Sequence, residues 1–153
     1  MKNSKKIFWA KPSIKEEEIS AITKVAKSNW MTQGSVTQQL EKNLCKKFNV
    51  KNAVVTNNGT SSLICALLAH GIKPGDEVLV PSFTFVSTVN SILSIGAKPV
   101  LVDSNSRTFN TEIKFLKQKM SKKTRAIMPV DVSGMPVDIS EMTEFADKNN
   151  LIM

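Results

Sequence analysis

The residues of this chain whose types and spacing are best suited to bind a ligand lie in the turn 57–62, where one glycine is followed by three hydroxyl side chains. Gly59 is expected to allow a positive φ and a close approach of a ligand to the backbone. Thr60 and Ser61 would begin a helix, whose first amides lack partners inside the helix and attract an anion. The turn therefore indicates a phosphate site, although a plain helix N-cap by Thr or Ser is an alternative explanation.

Two aromatic residues follow the next predicted strand. Phe83 and Phe85 belong to the segment PSFTF, at the carboxyl end of that strand. An aromatic ring in this position can cover the flat face of a conjugated ligand, whereas packing in the core is the alternative for either ring. The turn lacks the Gly-Lys-Ser/Thr ending of a P-loop, which weakens the interpretation as a mononucleotide site. It also lacks the three glycines of a dinucleotide site, which weakens that interpretation as well.

The elements that must position these residues alternate between strands and helices from Ala53 onward. The strands are short and apolar throughout, which is typical of a parallel sheet that is buried on both faces. We therefore predict an α/β fold, with a doubly wound, mainly parallel sheet and helices on both faces. The predicted strands are 53–56, 77–81, 99–103, 125–130 and the start of one at 151–153; the predicted helices are 13–28, a segment from 36 to 48, 60–70, 85–95, 112–120 and 139–149.

Ligands of such sheets bind beyond the carboxyl ends of the strands. The site is therefore expected among residues 57–62, 81–85, 103–106 and 131–135. Because the last strand breaks off at Met153, we expect a truncated chain that folds poorly and is inactive by itself.

Composition narrows the classes of partner. The chain has 153 residues, a formal net charge of +8 and a pI near 9.6, but its lysines are dispersed. A solvated basic surface is favoured over a nucleic-acid site, because no basic stripe with interleaved aromatic residues is present. Two cysteines and one histidine are too few for a protein-only zinc site. No segment is apolar enough to span a bilayer, so we predict a cytoplasmic location, no membrane partner, and reduced, packed cysteines.

The segment from Val55 to Asp103 resembles the DegT/DnrJ/EryC1/StrS sugar aminotransferases, which are pyridoxal-phosphate enzymes of fold type I. Lys11–Ile14, Trp30–Gly34 and Pro129–Ile139 extend the resemblance over nearly all of the chain. It implies the N-terminal part of the large domain of an aspartate-aminotransferase-like fold. Residues 1–34 would be an N-terminal helix with a substrate or interface loop, and residues 35–153 an incomplete cofactor-binding domain.

The resemblance also implies which residues bind pyridoxal 5'-phosphate. Gly59, Thr60 and Ser61 would hold its phosphate, and Phe85 would stack on its pyridine ring. The carboxylate that pairs with the ring nitrogen and the lysine that forms the Schiff base would both lie beyond Met153. No catalytic residue is therefore predicted within this chain.

A second group of residues matches the family's loop near the substrate. Trp30, Thr32 and Gly34 would approach the sugar-nucleotide pocket at the dimer interface. Asp131 stands where many members of the family have histidine, so no role is assigned to it from the resemblance.

The function implied by the resemblance is transfer of an amino group, with glutamate as the donor, to a nucleotide-linked keto-sugar. The full-length protein would be a homodimer. The resemblance also implies a role in polysaccharide biosynthesis. Two alternatives stay open: a sugar 3-dehydratase of the same family, in which histidine replaces the lysine, and a truncated remnant without catalytic activity.

Overall fold

The computed structural model describes residue 8 and residues 10–153. It divides into two compact units, one ending at Val55 and the other running from Thr56 to Met153. The sequence-based division into 1–34 and 35–153 stays a prediction.

Helices and short strands alternate along the described residues. In chain order they are α1 (Glu16–Lys27), α2 (Ser35–Phe48), α3 (Gly59–Ala69), β1 (Glu77–Pro81), α4 (Val86–Ser94), β2 (Lys98–Val102), α5 (Ile113–Lys119), β3 (Thr124–Ile127) and α6 (Ile139–Lys148). A short 3-10 turn, Val132–Gly134, lies between β3 and α6. Every predicted helix is present, with small differences at the ends.

The three strands form a parallel sheet in the order β2-β1-β3. All five residues of the central strand β1 are buried, and its bounds are the predicted ones. β3 is shorter than predicted, and the segment after α6 contributes one parallel bridge, between Ala126 and Ile152.

Helices cover both faces of this sheet, which confirms the predicted fold class. Because successive residues of a strand point to opposite faces, Val78 and Val80 pack with residues of α3 and α4. Leu79, between them, packs with residues of α5 and α6 on the other face. The carboxyl ends of β1, β2 and β3 therefore meet at one open edge between two helical layers.

The predicted strand at 53–56 is wrong. This segment is irregular, and Val54 is 82% exposed. The backbone nitrogen of Val55 donates to Oε1 of Glu41 at 3.1 Å, instead of to a neighbouring strand. A strand needs a partner that completes its hydrogen bonds, and the described residues supply none here.

The first unit exposes its apolar residues. Neither α1 nor α2, which correspond to the predicted helices at 13–28 and 36–48, contains a buried residue. None of the helices that the structure describes is long and apolar enough to cross a bilayer.

The two cysteines differ in their surroundings. Both are free thiols; Cys45 is half-buried and Cys65 is exposed, so the expectation of a packed side chain is wrong for Cys65. Cys65 lies two residues before the buried Leu67, which places it on the opposite side of α3.

Candidate functional site

The turn at the start of α3 is capped from outside the helix. Asn58 has the extended backbone of an N-cap, and its side-chain oxygen accepts a hydrogen bond from the backbone nitrogen of Ser61 at 2.9 Å. Neither Thr60 nor Ser61 is the cap, so the alternative explanation of their hydroxyls is excluded. The structure leaves these hydroxyls available for another partner.

Two other hydroxyls fix the shape of this turn. Oγ1 of Thr56 donates to the carbonyl of Asn58 at 2.8 Å and lies 2.6 Å from Oγ of Ser62. These bonds join the residues before and after Gly59 and stabilise the turn.

Several donors at the start of α3 have no partner in the part of the protein that the structure describes. Among the described residues, the backbone nitrogens of Gly59 and Thr60 and the hydroxyls of Thr60 and Ser61 have no hydrogen-bond partner. A Cβ placed on Gly59 would meet no atom within 4 Å. Gly59 does not use the positive φ that a glycine allows, because this residue is the first of the α-helix. Two amides and two hydroxyls are thus available to an anion at a helix N-terminus.

The structure separates the roles of the two phenylalanines. Neither ring is buried, so the interpretation of either as a core residue is wrong. Phe83 stacks on Phe109, with ring centroids 4.9 Å apart. Phe85 precedes α4 and is 76% exposed. Phe85 is therefore the ring that can cover a ligand.

The turn of α3 and Phe85 lie at the same edge of the sheet. A short turn after α3 leads into β1, so α3 and β1 run in opposite directions and α3 starts at the carboxyl end of β1. α4 follows β1 directly and packs against α3, with Leu67 and Ile92 in one apolar cluster. Parallel sheets of this type bind ligands at that edge.

The loops after β2 and β3 complete this edge, and Asn110 joins them. Its buried side chain donates to the carbonyl of Met135 at 2.8 Å and accepts from the backbone nitrogen of Val132 at 3.0 Å. Sequence reasoning missed Asn110, since an asparagine in a polar loop is common and its partners are distant along the chain. Asp131 is exposed, and its Oδ1 accepts from the backbone nitrogen of Val137 at 2.9 Å, which stabilises the loop after β3.

Glu112, at the end of the loop after β2, has a structural role. Hydrogen bonds from Lys114 and from the side chain of Asn105 hold the pKa of Glu112 below its ordinary value. Glu112 is thus a carboxylate at neutral pH that supports the loop after β2. The part of the chain that the structure describes contains no group of three His, Cys, Asp or Glu side chains able to hold a metal.

In the first unit, Trp30 and Gly34 contact each other. Nε1 of Trp30 donates to the carbonyl of Gln33 at 3.0 Å, and a Cβ on Gly34 would lie only 2.6 Å from that nitrogen. Thr32 lines a surface pocket together with these two residues. The absence of a side chain at Gly34 therefore lets the indole close over the turn, while a role of these residues in binding substrate stays a prediction.

An apolar cavity of about 210 Å³ lies under α3, away from the donors described above. Its lining combines apolar residues of α3 and β3 with His70 and Ile152. It offers no set of donors for an anion, so we do not place a phosphate there.

Comparison with known proteins gives consistent matches. A sequence model of the DegT/DnrJ/EryC1/StrS aminotransferase family matches residues 12–153. The structure is similar to the aminotransferase from Psychrobacter cryohalolentis, with 34% identity and a TM-score of 0.88 over 95% of this chain and 37% of that one.

Two further solved structures agree. Spr1654 from Streptococcus pneumoniae, described as a sugar aminotransferase and solved in PLP and PMP forms, has 32% identity and a TM-score of 0.88 over 94% of this chain and 36% of its own. NtdA from Bacillus subtilis, with bound PMP, has 30% identity and a TM-score of 0.85 over 90% of this chain and 33% of its own. The chain thus spans well under half the length of these relatives.

Proposed function

The chain belongs to the DegT/DnrJ/EryC1/StrS aminotransferase family, and we propose that it supplies the phosphate turn and ring cover of a pyridoxal-phosphate aminotransferase. The proposal depends mainly on the unpartnered donors at the start of α3. The relatives solved in PLP and PMP forms support pyridoxal phosphate as the cofactor.

The residues present fit the phosphate of this cofactor. The amides of Gly59 and Thr60 and the hydroxyls of Thr60 and Ser61 would donate to its oxygens, and the dipole of α3 would stabilise its negative charge. Asn58 supports this arrangement indirectly, because its bond to the Ser61 amide fixes the first turn of the helix.

Phe85 fits the ring. Its exposed side chain follows the central strand at the same edge as the turn, whereas Phe83 is paired with Phe109. A phenyl ring over the pyridine would exclude water from one face of the cofactor and fix the orientation of its ring.

The finer assignment follows the family. Bound pyridoxal phosphate supplies a ring that acts as an electron sink while an amino group is transferred. We propose a nucleotide-linked keto-sugar as the acceptor, glutamate as the donor, a homodimeric full-length enzyme and a cytoplasmic location with both thiols free. Trp30, Thr32 and Gly34 would contribute to the substrate side of the site.

The test is a binding measurement with pyridoxamine phosphate on the complete gene product that carries residues 1–153. This compound has an amine in place of the aldehyde, so it cannot form an imine with the many lysines of the chain. Thr60→Ala with Ser61→Ala should weaken binding by about tenfold or more, because hydrogen bonds to a charged group are lost. Inorganic phosphate should compete in the unsubstituted protein.

Ser62→Ala is the matched control, since its hydroxyl bonds to Thr56 and belongs to the turn itself. It should lower the melting temperature more than the double variant does, because the hydroxyls of Thr60 and Ser61 have no partner in the protein. Unchanged affinity in the folded double variant would contradict the phosphate assignment.

A further inference from the structure

Phe109 and Asn110 connect the loops that follow all three strands. Both residues lie in the loop after β2, where the backbone nitrogen of Asn105 donates to the carbonyl of Asn110 at 2.9 Å. The ring of Phe109 contacts Phe83 in the loop after β1. The side chain of Asn110 contacts the loop after β3, so this pair joins the whole carboxyl edge of the sheet.

The side chain of Asn110 is buried, and both its donor and its acceptor form hydrogen bonds. The residue is 5% exposed, its amide nitrogen donates to the Met135 carbonyl, and its amide oxygen accepts from the Val132 nitrogen. These two backbone groups belong to the first residue of the 3-10 turn and to the residue that follows it. One side chain therefore holds both ends of that turn. Because this side chain is buried, water cannot easily take over its hydrogen bonds if it is removed.

The turn that Asn110 holds has an unfavourable backbone. Ser133 has φ 54° and Gly134 has φ 80°, both in the left-handed region. Phe109, next to Asn110, also has a positive φ of 61°. For non-glycine residues this conformation persists only where surrounding contacts enforce it, and such residues concentrate at functional sites.

The turn lies beside the residues that the proposed function uses. β3 neighbours β1 in the sheet, so the loop after β3 is adjacent to the loop that carries Phe85. We propose that Asn110 is a positioning residue of the cofactor site. It holds the loop 131–137 in the conformation that lets the cofactor ring reach the side chain of Phe85. This inference rests on the proposed function, because it assumes that the cofactor lies at this edge.

The experiment compares Asn110→Ala with Asn105→Ala in the complete gene product. Asn105 is the matched control, because the bonds of its side chain to described residues stay close along the chain, to Arg107, Thr108 and Glu112. Both variants disturb the loop after β2, but only Asn110→Ala releases the loop after β3. Hydrogen exchange of residues 131–137 and affinity for pyridoxamine phosphate are the two measurements.

We expect Asn110→Ala to accelerate exchange in 131–137 and to weaken pyridoxamine phosphate binding about tenfold, while Asn105→Ala retains the affinity. If Asn110→Ala does not fold, Gly134→Ala gives the same test, because a side chain at φ 80° strains the turn without touching Asn110. Its affinity should fall similarly.

Three outcomes would overturn the inference. Unchanged affinity in the folded Asn110→Ala or Gly134→Ala variant, or an equal loss in Asn105→Ala, would reduce Asn110 to a purely structural residue. If binding depends on Thr60 and Ser61 but not on Asn110, only this inference fails. If the unsubstituted protein does not bind pyridoxamine phosphate, the proposed function fails and this inference fails with it.

Discussion

The side-chain oxygen of Asn58 lies 2.9 Å from the backbone nitrogen of Ser61, so the third amide of α3 is occupied by the protein itself. The amides of Gly59 and Thr60 remain without a partner in the described chain. A helix capped in this way keeps a fixed first turn and still presents free donors.

Asn58→Ala should lower the free energy of unfolding by about 1 kcal/mol, because the cap bond is lost. Asn58→Asp should retain the cap, yet its negative charge should repel a phosphate. Denaturant unfolding and pyridoxamine phosphate titration separate the two effects. Equal affinities for Asn58→Asp and the unsubstituted protein would argue against an anion at this turn.

Phe85→Ala should weaken pyridoxamine phosphate binding while leaving the melting temperature nearly unchanged, since its ring is 76% exposed. Phe83→Ala is the comparison, because it removes the ring that stacks on Phe109. It should lower the melting temperature more than Phe85→Ala does. The assignment of the two rings would be reversed if Phe83→Ala gave the larger loss of affinity.

Glu77 should contribute stability that disappears in acid. Hydrogen bonds from Ser121 and from Lys98 hold the pKa of this buried carboxylate below its ordinary value of 4.5. A lowered pKa in the folded state stabilises the protein above the unfolded pKa, and the contribution is lost as pH falls through the folded pKa.

Glu77→Gln should therefore lower the free energy of unfolding by about 1 kcal/mol at pH 7, with a difference that shrinks below pH 4.5. Urea unfolding at a series of pH values measures this. Glu144→Gln, which removes an exposed pair with Lys148, should have little effect at any pH. A difference for Glu77→Gln that does not change with pH would refute the electrostatic explanation.

Gly34→Ala should displace the indole of Trp30. The new Cβ would lie 2.6 Å from Nε1, which is too close, and the bond to the Gln33 carbonyl would be lost. The backbone of Gly34 is extended, so the effect is steric and not conformational. In a Trp9→Phe background, the fluorescence spectrum of Trp30 should change. An identical spectrum would show that the indole does not depend on this contact.

Elements that depend only on the local pattern of apolar residues could be predicted from the sequence. β1 was predicted with its bounds because it is buried along its whole length and is bounded by turn residues. The segment 53–56 has the same apolar character, but it forms no strand because no described strand lies beside it. Strand formation depends on a partner, which the pattern of one segment does not contain.

The candidate site shows the same limit. The turn 57–62 and PSFTF identified the important stretches, but only the structure shows that Asn58 is the cap and that Phe83 is already paired. Asn110 could not be found, since its partners Val132 and Met135 come from another loop. Contacts between loops are fixed by the fold as a whole.

The bridge between Ala126 and Ile152 has a practical consequence for handling the protein. The backbone nitrogen of Ile127 donates to the carbonyl of Ile152 at 2.8 Å, and the backbone nitrogen of Ile152 donates to the carbonyl of Arg125 at 3.0 Å. These two bonds attach the residues after α6 to the sheet beside β3. Because proline has no backbone N–H, an Ile152→Pro substitution should loosen this attachment and lower the melting temperature.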